Sequence, residues 1–257
     1  MLKNEETVYK TTSQIIKNLE FNDGKSYSKA VLAELRNSVT HPFVKNGLLW
    51  QALFNNMPNS FLSRDGSLSK PEKSILNALQ LYAIHQQGND SSVNTYDNLN
   101  ADISFNVTYS NNSFEIFSLN SYDSDPIKQF NHFDELVKYM SSLKDNIKSN
   151  DVDNNQYNRK WYKDNFGQAL SIVRKSSNDS TAIDRRFNAM ISSNTYDELI
   201  YHLRHLTRLI RSKKLHIEIN YSKVADDLYT FLSSLNGQEK IKLLWSESYY
   251  AQHKGEE

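Results

Sequence analysis

The run NFGQALSIVRKSSNDSTAIDRRFNAMISSNTYDELIYHLRHLTRLIRSKK, residues 165–214, sets the fold class. Ile183, Phe187, Met190 and Ile191 recur at helical spacing, and so do Leu199, Leu203, Leu206 and Ile210. Thr195 and Glu198 have the spacing of a capping box before the second stripe. Two amphipathic helices are therefore predicted, each with one face to bury. The faces that remain are basic. From Arg174 to Lys214 there are nine Lys or Arg (Arg174, Lys175, Arg185, Arg186, Arg204, Arg208, Arg211, Lys213, Lys214) against four acids. The whole chain carries 30 basic and 30 acidic residues, so this surplus is local. Local asymmetry of this kind is the footprint of polyanion binding, although a charged helix face is more commonly just solvated.

Outward from this run the chain falls into three regions. Residues 1–88 read as an N-terminal helical bundle: SQIIKNLEF, SKAVLAELRNSV, GLLWQALFNNM, and a helix opened by Ser69, Pro71 and Glu72. Ser69 and Glu72 have capping-box spacing, Pro71 sits where its missing N–H is harmless, and Gly88 marks the stop. Residues 158–257 read as a C-terminal helical bundle with a basic face. Its last two helices carry Val224, Leu228, Phe231 and Leu235, then Ile241, Leu244 and Trp245. Residues 89–157 differ. They hold thirteen Asn and eleven acids against four Lys, the composition of an acidic insertion that is either flexible or partly ordered as a hairpin plus a helix. Ile103, Phe105, Val107 and Tyr109 alternate with polar residues, Asn111 and Asn112 offer a turn, and Phe114 and Ile116 resume the alternation. After the hairpin, Phe133, Leu136, Val137, Met140, Leu143 and Ile147 share one helical face. The fold class expected is all-α, two helical bundles with this insertion between them. At seven net negative charges, the insertion should be repelled by nucleic acid.

Composition removes several functions. With no cysteine there is no disulfide, thiolate metal site or cysteine nucleophile. No leader-like or membrane-spanning run is present, so a cytoplasmic protein without membrane association is expected. No Gly-rich phosphate loop or nucleophile elbow occurs, and no cofactor is implied. His202 and His205 could share a metal but lack a third ligand at a recognisable spacing. Asp123 with Asp125, and Asp151 with Asp153, resemble halves of a metal-dependent nuclease cluster, yet they lie where acids are abundant and solvated.

On a helical wheel, Arg204, Arg208 and Arg211 cluster away from the leucine stripe, with Tyr201 and His205 nearby as stacking groups. In the triplet Asp184, Arg185, Arg186 one arginine could instead pair with an acid in the core wall. Arg186, nearest the apolar stripe, is the candidate for that role.

SKAVLAELRNSV (28–39), ILNALQLYAIHQQG (75–88), the block 165–212 and YSKVADDLYTFL leading into IKLLWSESYY resemble the CasB small subunit of the type I-E CRISPR surveillance complex, Cascade. The most specific parts are Gly167, Ala169 and Leu170, the Asp-Arg-Arg-Phe at 184–187, and the arginine-rich helix from Tyr201 to Arg211. The resemblance implies an all-α protein without enzymatic activity. It would stand in two copies along the inner face of the complex, against the backbone and large subunits. There it would follow guide RNA and target DNA and hold the displaced non-target strand of the R-loop. The family's basic positions fall on Arg36, Arg174, Arg185, Arg186, Arg204, Arg208 and Arg211; Lys175, Lys213 and Lys214 are added by charge alone. The insertion departs from the family pattern. A metal-dependent nuclease and a purely architectural spacer are the competing expectations.

Overall fold

A computed structural model describes residues 7–22, 24–39, 47–96, 105–110, 113–118, 128–139, 165–177, 179–213, 215 and 217–250. The chain divides into two compact units, Met1–Tyr96 with Trp161–Glu257, and Asp97–Lys160. The first and third sequence regions thus pack together in one unit around a shared core.

In chain order the helices of the larger unit are α1 (Val8–Lys17), α2 (Lys25–Asn37), α3 (Gly47–Phe54) and α4 (Lys70–Gln86), and, after the insertion, α6 (Phe166–Lys175), α7 (Thr181–Ile191), α8 (Tyr196–Ser212), α9 (Tyr221–Ser233) and α10 (Leu235–Tyr250). A π-helical turn, Asn18–Asn22, extends α1. At the centre lies α4, which packs against α1, α2, α8 and α9. Residues 74–85 are buried without interruption, so over this stretch the helix has no solvent face. Its start is the predicted capping box, the Ser69 side chain accepting from Glu72 N and Glu72 accepting from Ser69 N at 2.6 Å. Its end is Gly88 at φ +84°, a left-handed conformation natural to glycine.

The apolar stripes of the larger unit face its core, with one exception. Leu199, Leu203, Leu206 and Ile210 are fully buried, as are Ile183, Phe187, Val224, Leu228, Phe231 and Trp245. Leu235, expected to continue the α9 stripe, is 76% exposed. Ser234 is extended (φ −162°, ψ 163°) and ends α9, so Leu235 opens the next helix out of register.

α6 and α10 meet unusually closely at Gly167. A Cβ there would lie 2.1 Å from Trp245 O and 2.9 Å from its carbonyl carbon, distances that only the absence of a side chain permits. Asn165 caps α6 by accepting from Gln168 N and reaches back to Ser248 Oγ at 2.7 Å. Because the obstacle is backbone, no rotamer change relieves it. Gly167→Ala should therefore cost about 1–3 kcal/mol or more, read as a lower urea midpoint.

Before the insertion the chain is tied down. Residues 93–95 run beside Ile219, with Ile219 N donating to Val93 O and Thr95 N to Ile219 O. Glu20, in the π-helical turn, accepts from the hydroxyls of Tyr82 (2.9 Å), Ser92 (2.6 Å) and Tyr96 (2.6 Å).

The smaller unit holds the expected hairpin, β1 (Phe105–Ser110) against β2 (Ser113–Ser118), with Tyr109 opposite Phe114. A short third strand, β3 (Lys128–Phe130), pairs antiparallel with β2 and was not evident from sequence. Helix α5 (residues 133–139) follows. Phe130 and Leu136 are buried, with Phe114 and Tyr139 against them, whereas Phe133 and Val137 of the predicted stripe are exposed. Met140, Leu143 and Ile147 lie outside the described residues.

Asp227 is buried, its Oδ2 accepting from Trp245 Nε1 at 2.8 Å, and burial pushes its pKa up to about 6 against the opposing pull of Lys223 and that hydrogen bond. The native state thus holds a proton where the unfolded chain has lost it. Stability falls as pH rises from about 4 to about 6 and stays lower above. His85 slopes the other way. Burial, then Arg211, lowers its pKa to about 4, so stability is lost as pH falls below the ordinary histidine value. Asp227→Asn keeps an oxygen for the indole and removes only the first slope. The difference between variant and parent stability should grow from pH 4 to 6, reaching at most about 3 kcal/mol in the variant's favour, measured by urea denaturation across that range.

Candidate nucleic-acid interface

Helix α8 divides into three strips at about 100° per residue. The leucine strip faces the core. Arg204 and Arg211 form a second strip toward α4, while Tyr201, His205, Arg208 and Ser212, spaced i, i+4, i+7 and i+11, form a third facing away. Its start is fixed by Thr195, which accepts from Glu198 N at 3.2 Å. Glu198 accepts from Asn194 N, so the reciprocal half of the predicted capping box shifts by one residue.

The second strip serves α4. Arg204 Nη2 donates to Asn77 Oδ1 (3.1 Å) and Gln80 Oε1 (2.8 Å), and burial lowers the Arg204 pKa, with Arg208 adding to the effect. Arg211 Nη1 donates to Ile84 O at 3.4 Å and to Gln87 Oε1. From α2, Arg36 Nη1 donates to Ala83 O at 3.3 Å; burial and then the charge of Arg211 lower its pKa. Ala83 and Ile84 belong to the last turn of α4, whose carbonyls have no partner within the helix. Asn89 completes the turn, its side chain donating to His85 O and its backbone N to Gln86 O. Two arginines and one asparagine therefore cap this helix, and cations are favoured at this end.

Arg174 is also engaged. Its Nε donates to Asp184 Oδ1 at 2.8 Å, and its guanidinium lies 5.6 Å from the ring centroids of Tyr249 and Tyr250. Asp184 accepts from Tyr249 Oη (2.7 Å) and Ser180 Oγ (2.9 Å) as well. Burial alone would raise the Asp184 pKa; the hydrogen bonds from Tyr249, Arg174 and Ser180 outweigh it and hold the carboxylate below its usual range. The core-wall partner of an acid is thus Arg174, and the expectation that Arg186 fills that role is corrected. α7 turns Arg186 outward.

Lys175, Arg185, Arg186, Arg208 and Lys213 are exposed, and Lys214 lies outside the described residues. Two of the exposed groups converge. Arg186 of α7 and Arg208 of α8 flank a groove of about 460 Å³ whose other lining residues are Tyr201, His202, His205, Leu206, Leu209 and Ser212, none of them acidic. Tyr201 is 57% exposed, with the His205 ring centroid 4.5 Å away and that of His202 5.3 Å away, both edge-on. Burial, Arg208, Arg186 and His202 together lower the His205 pKa. The pairing of Arg186 with Arg208 across two helices had no signal in the sequence, where Arg208 clusters with Arg204 and Arg211.

Among the described residues no group of three or more His or acidic side chains could hold a metal ion. Asp123, Asp125, Asp151 and Asp153 lie outside them. No described helix is long and apolar enough to cross a membrane.

Two comparisons with known proteins return matches. The family model described as CRISPR-associated protein Cse2 matches residues 31–250. The structure of CasB from Thermobifida fusca is similar with a TM-score of 0.53 at 18% identity, covering 95% of this chain and 96% of that one. CasB from M. ruber is similar with a TM-score of 0.51 at 14% identity, covering 93% and 92%. No curated protein matches in sequence. At these identities the solved structures speak for the fold.

The placement of the arginines separates structural from exposed roles. Arg204→Ala strands the oxygens of Asn77 and Gln80 and should cost about 1–3 kcal/mol. Arg186→Ala and Arg208→Ala should stay within about 0.5 kcal/mol of the parent. Urea denaturation of the three variants checks the difference.

Proposed function

This chain belongs to the CRISPR-associated protein Cse2 family, and we propose that its groove between α7 and α8 is where it holds a nucleic-acid backbone. As a Cse2 protein it is a subunit of the CRISPR defence assembly Cascade. The finer reading is a non-catalytic small subunit of a type I-E complex. It lies along guide RNA and target DNA beside the backbone, large and second small subunits, and steadies the displaced strand of the R-loop.

The observation that carries this reading is the convergence of Arg186 and Arg208 on one acid-free groove, with Lys175, Arg185 and Lys213 as further exposed cations. Guanidinium groups free of internal partners can meet phosphate oxygens in bidentate fashion, and a strand of arbitrary sequence can be held only through its backbone and by stacking. Arg174 ties α7 to α6, and Arg204 and Arg211 tie α8 to α4, which Arg36 joins to α2.

Counterion release supplies the test. Binding of single-stranded oligonucleotides should weaken with salt at a log–log slope of roughly −0.7 per phosphate contact. The double substitution Arg186→Ala, Arg208→Ala should flatten the slope by about 1.4 and weaken binding irrespective of base sequence. Anisotropy titrations between 50 and 200 mM salt, about the range over which such contacts are lost, give the slope directly. An unchanged slope removes the groove from the interface.

A further inference from the structure

The groove carries more than charge. Tyr201 stands at the start of the outward strip of α8, more than half exposed, with both neighbouring imidazoles meeting it edge-on at interplanar angles of 63° and 77°. Neither imidazole lies flat on it. Other exposed aromatics of the same unit are engaged: Phe54 stacks on Trp50 at 5.2 Å, and Tyr250 packs against Phe187 while donating to Asn188 Oδ1 at 2.7 Å. An isolated exposed tyrosine needs no explanation. This one shares a groove with two guanidinium groups, and the helical rise puts Tyr201 about 10 Å along the axis from Arg208.

We infer that Tyr201 is a nucleobase-stacking residue, so that the groove takes a single strand with one base turned out onto the phenol ring while its phosphates meet Arg186 and Arg208. The inference rests on the proposed nucleic-acid reading and adds the residue that meets the base. A base in a duplex has both faces covered by its neighbours and cannot reach the ring, whereas an unpaired base can. Stacking uses the π face common to all bases, so it gives strand-form selectivity without sequence selectivity. An acidic protein segment would satisfy the arginines but leave the exposed phenol face without a matching partner.

The test uses the full chain with single-stranded 12-mers, as DNA and RNA in separate arms, and the same oligomers with every base removed. Tyr201→Ala should weaken binding of the base-bearing oligomer by about 5- to 100-fold in at least one arm. It should leave the abasic oligomer's affinity and the salt slope of both unchanged, while Tyr201→Phe retains parental affinity. Tyr201 is exposed, so these variants should keep the parental urea midpoint, which is measured alongside. Equal losses on base-bearing and abasic strands overturn the stacking role, as does no loss in either arm. Polyglutamate binding as tightly as the oligomers, with the same dependence on Tyr201, overturns it too. Loss of stacking with the Arg186 and Arg208 salt dependence intact would leave the backbone-holding function standing. Absence of that salt dependence is the separate failure of the underlying reading.

Discussion

A helix with no solvent face must have every polar group satisfied from within, and the larger unit is arranged around that requirement at α4. Its buried Asn77 and Gln80 oxygens and its C-terminal carbonyls are met by Arg204, Arg211, Arg36 and Asn89. Leaving such groups unpaired would cost about 1–3 kcal/mol each, a sizeable fraction of the stability of a typical domain. His85 meets Tyr221 Oη at 2.9 Å. The neighbours of α4 come from both ends of the chain, so residues on either side of the insertion share one core.

The same requirement divides the basic residues. A guanidinium donating to a buried amide or to a helix-end carbonyl is fixed in place and partly desolvated, with its pKa lowered, as at Arg36 and Arg204. One pointing outward keeps its donors for a ligand. Charge alone cannot distinguish these states; burial and partners do. The exposed set is smaller than the charge count suggested, but two of its members, Arg186 and Arg208, line one groove.

Much of the fold was legible because it rests on short-range rules. The Ser69–Glu72 box, the Gly88 stop, the α8 stripe and the hairpin all follow from spacing along the chain, and the structure keeps each. The misses have a common cause in contacts between distant segments. Asp184 draws its arginine from ten residues upstream rather than two downstream because α6 and α10 close around it. Leu235 leaves the core because Ser234 breaks the helix, and β3 is too short to show an alternation. The groove itself requires two helices to be docked before Arg186 and Arg208 share a space.

The Glu20 cradle has a consequence for how such a chain can change. Three hydroxyls, two of them on the last residues before the second unit begins, close on one carboxylate, and Ile219 pairs with the backbone between them. The polypeptide is thus fastened immediately ahead of residue 97, by contacts that lie wholly within the larger unit and none in the segment that begins there. Segments of different length or charge can be accepted there over evolutionary time without refolding the rest, which makes this junction a natural splice point for both drift and engineering.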